Sequence, residues 1–574
     1  MMRSSRSIIA GRVAFLSWLL VLGPQVSALN EVVFEDIFGR RLNEQGMVLV
    51  DWEGQIANPA IRILVRPPSD ATFPASAVIS GTEPRLYFDV PSQATASGPS
   101  KTLSFPNATP VPVRISIFPD RNVTPENHTL SVVFTANGGA QRTQTLAARV
   151  IDQDQSQTPP PFAVTVDFSR DQTGFFNQTA RRDIVRQAAE DWTYFFAGMN
   201  LDLVAAGAEQ TFIWNSNGFT GGTYVTNAAA YRGFLLYGYG IDQAAPPYRS
   251  GGEPSFAGGF QTSGGTALPL KRSGGTEIEI KGNFNMLGWY LTTGDGDWWR
   301  ASNLGHEQND LYSIARHEIG HALIFNPTHT RFGNFKSAGT VNDAAVVAYH
   351  GSAPAVDGSD HLNGSLDRLS RKGAFGYEYF GDVPARRWLI TKLDLLVAQA
   401  IGYTLRATSA FAPLAIGTTA LPRGAVNDYY SQTLAATGGI PFYEWTVTGG
   451  ALPGGLTLDS FAGTIRGHPT ATGTFNFTVR LRDYDTATTP VTQMLSIRVE
   501  ATPLRIETER SGADMLVRFT TIAGRTYRIE YKDDLPDAAW SVLQANVAGT
   551  GSVITVTDAG AANLPKRFYR ALEF

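Results

Sequence analysis

The chain has 574 residues, with 47 basic against 51 acidic side chains for a net charge of −4. That length exceeds one ordinary core, and the near-balance of charge excludes a basic footprint for nucleic acid or for an anionic membrane surface. Cysteine is absent, so neither a disulfide framework nor a thiolate cluster stabilises the fold.

Residues 1–28 read as a secretory signal: Arg3, Arg6 and Arg12 make a basic start, Val13 to Leu22 an apolar run, and Val26-Ser27-Ala28 a small-residue cleavage site. The mature chain is expected to begin near Leu29. No later stretch is apolar enough to span a bilayer, so the expectation is an exported protein, secreted or at the cell surface, without a membrane span once the signal is removed.

From 29 to 157 the chain alternates apolar and polar residues, as in "PVRISIF" and "HTLSVVF", which predicts short strands in a β-sandwich. The closing stretch "ENHTLSVVFTANGGAQRTQTLAARVIDQDQ" loosely resembles the end of a Calx-beta repeat. Relatives of that kind can bind calcium, which makes Ca2+ a second candidate ion. The acidic clusters that would hold it are not evident in the local sequence, so a scaffold is expected, with His128 as a surface residue at a strand edge. This β region could also serve as a pro-segment, although no cysteine is present to block a metal.

Pro159-Pro160-Pro161 predicts a stiff linker. Beyond it, 158–408 changes character and predicts an α+β domain. "FAVTVDF" reads as a strand, and Ile184, Val185, Ala188, Trp192, Phe195 and Phe196 keep a helical spacing. "TEIEIKGNFN" reads as another strand, while Asp295 and Asp297 belong to a glycine turn and receive no role. A helix is expected from about Asp310, carrying "HEIGH" at 317–321 in its second half. Another is expected from Thr391, with Asp394 three residues on as a capping box and Gly402 as its stop.

Of 8 histidines, six fall between His306 and His361. On a helix a four-residue step turns roughly 400°, so His317 and His321 share one face, one turn apart, and can offer both imidazoles to one ion. Neutral imidazole is a good zinc ligand, and an adjacent glutamate left out of the coordination sphere can act as a base toward water. Catalytic zinc keeps three protein ligands, and His329 and His361 are the candidates for the third. His306 and His350 read as hydrogen-bonded loop residues, and Glu378 as a structural acid.

The helix "DLYSIARHEIGHAL" resembles the active-site helix of metzincin-type zinc peptidases. That resemblance implies zinc held by His317 and His321, with Glu318 as general base. The chain departs from the pattern at once: Ile324 and Pro327 stand where the family has glycine and then a third ligand. No methionine occurs between Met286 and Met494 to make the family's methionine turn. The order "HEIGHAL", "NDAAVVAYHG", "DHLNG", "ITKLDLLVAQAIGY" resembles leishmanolysin-like metallopeptidases and favours His361, while His329 stays open.

Residues 409–501 contain the stretch from "YYSQTLAATGG" to "TFNFTVRLRDYD", which resembles a bacterial immunoglobulin-like repeat, cadherin-like in fold, with Trp445 in its core and Leu452-Pro453-Gly454-Gly455-Leu456 as a turn. Residues 502–574 are similar to C-terminal β modules of exported bacterial proteins.

The whole reads as a multidomain chain with a zincin-like α+β catalytic domain flanked by all-β sandwich modules: a secreted zinc endopeptidase acting on protein or peptide. Its substrate would lie extended along a sheet edge, with "TEIEIKG" as the candidate edge. The alternative is an exported adhesin or surface-binding protein with a structural or degenerate metal site. A carbohydrate-active protein decorated with immunoglobulin-like modules is a further alternative, but no carboxylate pair supports it. Attachment to a cell surface fits either leading reading.

Overall fold

The computed structural model describes residues 29–83, 85–91, 100–120, 123–154, 164–198, 203–208, 210–214, 222–232, 234–242, 252–256, 260–261, 271–272, 276–282, 289–290, 309–325, 327, 330–358, 360–363, 367–370, 389–501 and 504–574. Residues 164, 198, 204, 210–214, 232, 234, 240–242, 252–256, 260–261, 271–272, 276–282, 289–290, 309–310, 314, 318, 322 and 330 are described by backbone alone. The signal segment, the triple proline, His306, His329, Glu378, Asp295 and Asp297 lie outside the described residues.

Strand outweighs helix, 42% to 15%, so the molecule is mainly β and multidomain. The first unit is a sandwich of nine strands: β1 Val33–Glu35, β2 Met47–Asp51, β3 Ile61–Arg66, β4 Ala75–Gly81, β5 Leu86–Asp89, β6 Ser100–Phe105, β7 Val111–Ile117, β8 Glu126–Thr135 and β9 Gln141–Asp152. One sheet runs β2-β9-β8-β4-β6 and the other β1-β3-β7-β5. The two-residue period explains the layers. In β6, for example, Lys101, Leu103 and Phe105 turn inward while Ser100, Thr102 and Ser104 stay exposed. His128 departs from expectation: β8 lies in the middle of its sheet, and the imidazole is largely covered and contacts Glu126 at 2.9 Å.

The next unit carries a four-stranded sheet ordered Val164–Asp167, Phe234–Asp242, Thr276–Gly282, Gly252–Phe256. The first three strands are parallel and the last is antiparallel. "TEIEIKG" is therefore an inner strand, which corrects its assignment as the edge; Gly252–Phe256 holds that place. Local alternation signals a strand but carries no information about its neighbours.

Helix α1, Thr179–Thr193, buries Ile184, Val185, Ala188 and Trp192. It ends before Phe195 and Phe196, and Phe196 opens a short strand. Both phenylalanines are buried in the same core, which is why their spacing mimicked one more helical turn. Helix α2, Leu311–Leu323, lies against α1 with Leu311, Tyr312, Ala315, Ile319 and Leu323 buried. Between them runs a buried ion pair, Arg316 Nε to Asp191 Oδ2 at 2.6 Å, with Tyr312 donating to the same oxygen and Trp192 Nε1 donating to the Arg316 carbonyl at 2.7 Å.

Short helices α3, Thr330–Ala338, and α4, Ala344–His350, follow. Helix α5, Lys392–Ile401, begins on the Thr391–Asp394 capping box and stops at Gly402, whose φ of 116° suits only glycine. The Tyr403 hydroxyl then donates to the Leu323 carbonyl at the end of α2.

These units share one hydrophobic core. Phe34, Trp52, Trp192, Leu311, Ile319, Leu396 and even Phe442 belong to a single buried cluster. From 412 on, strands Gly424–Ala425, Glu444–Gly450, Gly473–Arg482 and Val491–Glu500 form one sheet facing a three-stranded one, with Trp445 buried between them. The turn at 452–456 is closed by Leu456 N–H donating to the Pro453 carbonyl at 3.0 Å. A last pair of three-stranded sheets completes the chain.

Candidate metal centre

Helix α2 sets His317 and His321 one turn apart, their rings 4.8 Å between centroids. His361 comes from a tight loop after α4. Thr340 bridges Ala355 and Val356 bridges Leu362. The Asp357 amide donates to the His361 carbonyl at 2.9 Å, while the Asp357 carboxylate accepts from the His361 amide at 3.0 Å. Asp360 takes the left-handed conformation that such a turn requires, φ 69°, which aspartate tolerates better than most residues. Lys336 of α3 holds its carboxylate at 2.6 Å.

The outcome is convergence. His361 Nε2 lies 3.2 Å from His321 Nε2 and 3.2 Å from His317 Nε2, and ligand nitrogens of all three fall within 4.8 Å of one another. Two nitrogens bound tetrahedrally at about 2.0 to 2.1 Å from one zinc would stand roughly 3.3 Å apart, so the spacing fits such an ion. His329 cannot be compared, because it lies outside the described residues. His350 ends α4 half-buried, with Nδ1 3.0 Å from the Ser352 carbonyl.

Tautomers follow from the partners. His321 Nδ1 faces the Phe325 carbonyl at 3.1 Å. A carbonyl can only accept, so Nδ1 carries the proton and Nε2 keeps its lone pair for the shared point. At His361 the Asp357 carboxylate stands 3.5 Å from Nδ1, orienting the ring the same way. Burial is the main cause that lowers all three histidines from their ordinary range, His321 to about 3, aided by mutual repulsion with His361 at His317 and His321. Neutral imidazole is the ligating form. Glu318 follows His317 on the α2 backbone, about 100° around the helix from it.

A second constellation was not visible locally. Asp120, Asp152 and Asp154 bring carboxylate oxygens within 4.8 Å of one another, so the expectation that no acidic cluster exists is corrected. They come from just past β7 in one sheet and from the end of β9 in the other, with Asp51, the last residue of β2, and Glu53 just beyond it beside them; the Asp120 amide donates to the Asp51 carboxylate at 3.3 Å. Burial chiefly, and the charges of Asp152, Asp120 and Glu53, push Asp154 up to about 7. Glu53 is 2% exposed; Tyr194 donates to its Oε1, while its Oε2 and the Asp154 Oδ2 have no hydrogen-bond partner. Arg85 offsets part of this charge, at 2.5 Å from Asp120 and 3.2 Å from Asp51.

Comparison with known families reaches one part of the chain. Residues 412–500 match the family described as "Putative Ig domain". No curated protein matches. Among solved structures, an α-galactosidase homologue from Bacteroides fragilis NCTC 9343 is 24% identical over 16% of this chain and 18% of its own, with a TM-score of 0.14. The N-terminal domain of PorA is 14% identical over 22% of this chain and all of its own, at 0.16. Three repeats of mouse Cadherin-23 are 9% identical over 82% of this chain and 100% of theirs, at 0.15. The chain thus spans under a fifth of the galactosidase homologue it matches, and TM-scores of this size define no shared architecture.

Proposed function

We propose that the protein is an exported, zinc-dependent endopeptidase whose unit at 158–408 is a zincin-like catalytic domain. One observation carries the reading: three imidazole nitrogens, two from an HExxH helix and one from a distant loop, converge at zinc-compatible spacing.

In this reading His317, His321 and His361 hold the ion. Zinc held there supplies Lewis acidity, which polarises a scissile carbonyl and acidifies water. Glu318, adjacent to a ligand but off the ligand face, takes the proton from the attacking water and passes it to the leaving amine. Gly252–Phe256, the antiparallel edge of the sheet among the described residues, is the strand along which an extended peptide pairs. The acids at 120, 152 and 154 suit a hard cation such as calcium, which takes oxygen ligands, and the unpartnered oxygens of Asp154 and of neighbouring Glu53 favour that assignment. The signal-like leader supports export, and the β modules support attachment at a cell surface. Among the described residues no helix is long and apolar enough to cross a membrane.

The mainly β composition and the immunoglobulin-like module also suit a surface-binding protein with a structural metal. Glu318→Gln separates the two. In the peptidase the variant retains wild-type zinc stoichiometry while turnover of a protein substrate such as casein falls about 10²–10⁴-fold. Zinc-loaded wild type that cleaves no protein substrate favours the adhesin.

A further inference from the structure

His361 sits on a segment held at both ends by one anchor. After His361 the chain reaches Asp367, fully buried, whose carboxylate accepts from the amides of Leu369 at 2.9 Å, Ser370 at 2.8 Å and Leu393 at 3.1 Å, and from the Tyr349 hydroxyl. Arg368, beside it, donates through Nε to the Tyr349 carbonyl at 2.7 Å, closing the loop from the end of α4 back onto residue 368. The Arg368 guanidinium then forks onto Asp485 of the immunoglobulin-like module, with Nη2 2.6 Å from Oδ2 and Nη1 on the other oxygen.

Asp485 is itself fixed. Its side chain is 10% exposed, and it accepts the Ala487 amide at 3.1 Å. Next to it the Tyr484 hydroxyl accepts from the Arg62 amide at 2.8 Å and donates to the Ala60 carbonyl at 3.1 Å, while the Ala60 amide donates to the Leu369 carbonyl at 2.9 Å. One dipeptide of the third unit therefore grips both the first unit and the segment that presents His361. A bidentate arginine–carboxylate pair fixes direction as well as distance, unlike a swinging surface ion pair. A tether would leave Tyr484 and Asp485 in solvent.

We infer that the immunoglobulin-like module is a working part of the metal centre, with Asp485 and Tyr484 as positioning residues that set His361 through Arg368. This rests on the reading of the histidines as a zinc site. The test uses the full chain, comparing wild type, Asp485→Ala and, as a control on an exposed pair of the same module, Glu500→Ala. Zinc affinity is read by chelator competition, and ligand geometry by the visible bands of the cobalt(II)-substituted protein.

Asp485→Ala is expected to weaken zinc about tenfold, at the low end of what outer-sphere partners contribute, and to alter the cobalt bands. Glu500→Ala should leave both unchanged. Arg368→Lys, which keeps the charge without the fork, should fall between wild type and Asp485→Ala. Wild-type affinity and bands in Asp485→Ala, or equal losses in Glu500→Ala, overturn the inference while leaving the zinc reading intact. Wild type that binds no zinc overturns both. Should Asp485→Ala fail to fold, Tyr484→Phe decides: weaker zinc with altered bands supports the inference, and an unchanged site sinks it.

Discussion

At the scale of single residues the candidate centre depends on which nitrogen of each ring carries the proton. His321 is committed by a carbonyl at 3.1 Å and His361 by a carboxylate that also braces its own backbone amide. Asp357 therefore acts twice, shaping the turn and orienting the ring. Asp357→Ala is expected to weaken zinc binding about 10–100-fold in a chelator titration; affinity equal to wild type would remove Asp357 from this role. Two of the three histidines were legible from spacing alone, because a four-residue step on a helix fixes their relation. The approach of His361 to that pair was not legible from spacing, since loop closure is decided by contacts such as Lys336–Asp360 that leave no periodic mark.

At the scale of elements, the helices were legible where local chemistry sets them, as at the Thr391–Asp394 capping box and the Gly402 stop. Sheet order was not, and it moved the edge from Thr276–Gly282 to Gly252–Phe256. The same blindness hid the acids at 120, 152 and 154, which come from the two different sheets of the first unit and meet where the Asp120 amide reaches Asp51 at the end of β2, the neighbour of β9. Their electrostatics have a direction. Asp154 is raised from 3.8 to about 7, so between those values the folded state binds the extra proton. This contribution is full below the unfolded value and is lost as pH rises through about 7. Above that pH a bound divalent cation relieves the repulsion. Calcium is therefore expected to raise Tm more at about pH 8 than at about pH 5, worth about 2.7 kcal/mol at a hundredfold excess over Kd, and Asp154→Asn should diminish the shift. Thermal scans with and without calcium check this, and identical curves at both pH values would contradict it.

At the scale of the whole molecule, the composition pointed to several units, and the structure joins the first three through shared contacts. Gln55, 4% exposed, accepts from Arg316 at 3.0 Å, one residue before His317, and donates to the Asp120 carbonyl at 3.2 Å. The first β unit thus touches the histidine helix from one side while Asp485 reaches the His361 segment from the other. Such an arrangement argues against a first unit that is discarded as a pro-segment, since its loss would expose Arg316 and strip the shared core.

The most direct test is anomalous scattering at the zinc edge from crystals of the protein. The expected result is one stoichiometric zinc ion within about 2.0 to 2.1 Å of nitrogens from His317, His321 and His361. Stoichiometric protein without transition metal, or an ion whose third histidine is His329, would contradict it.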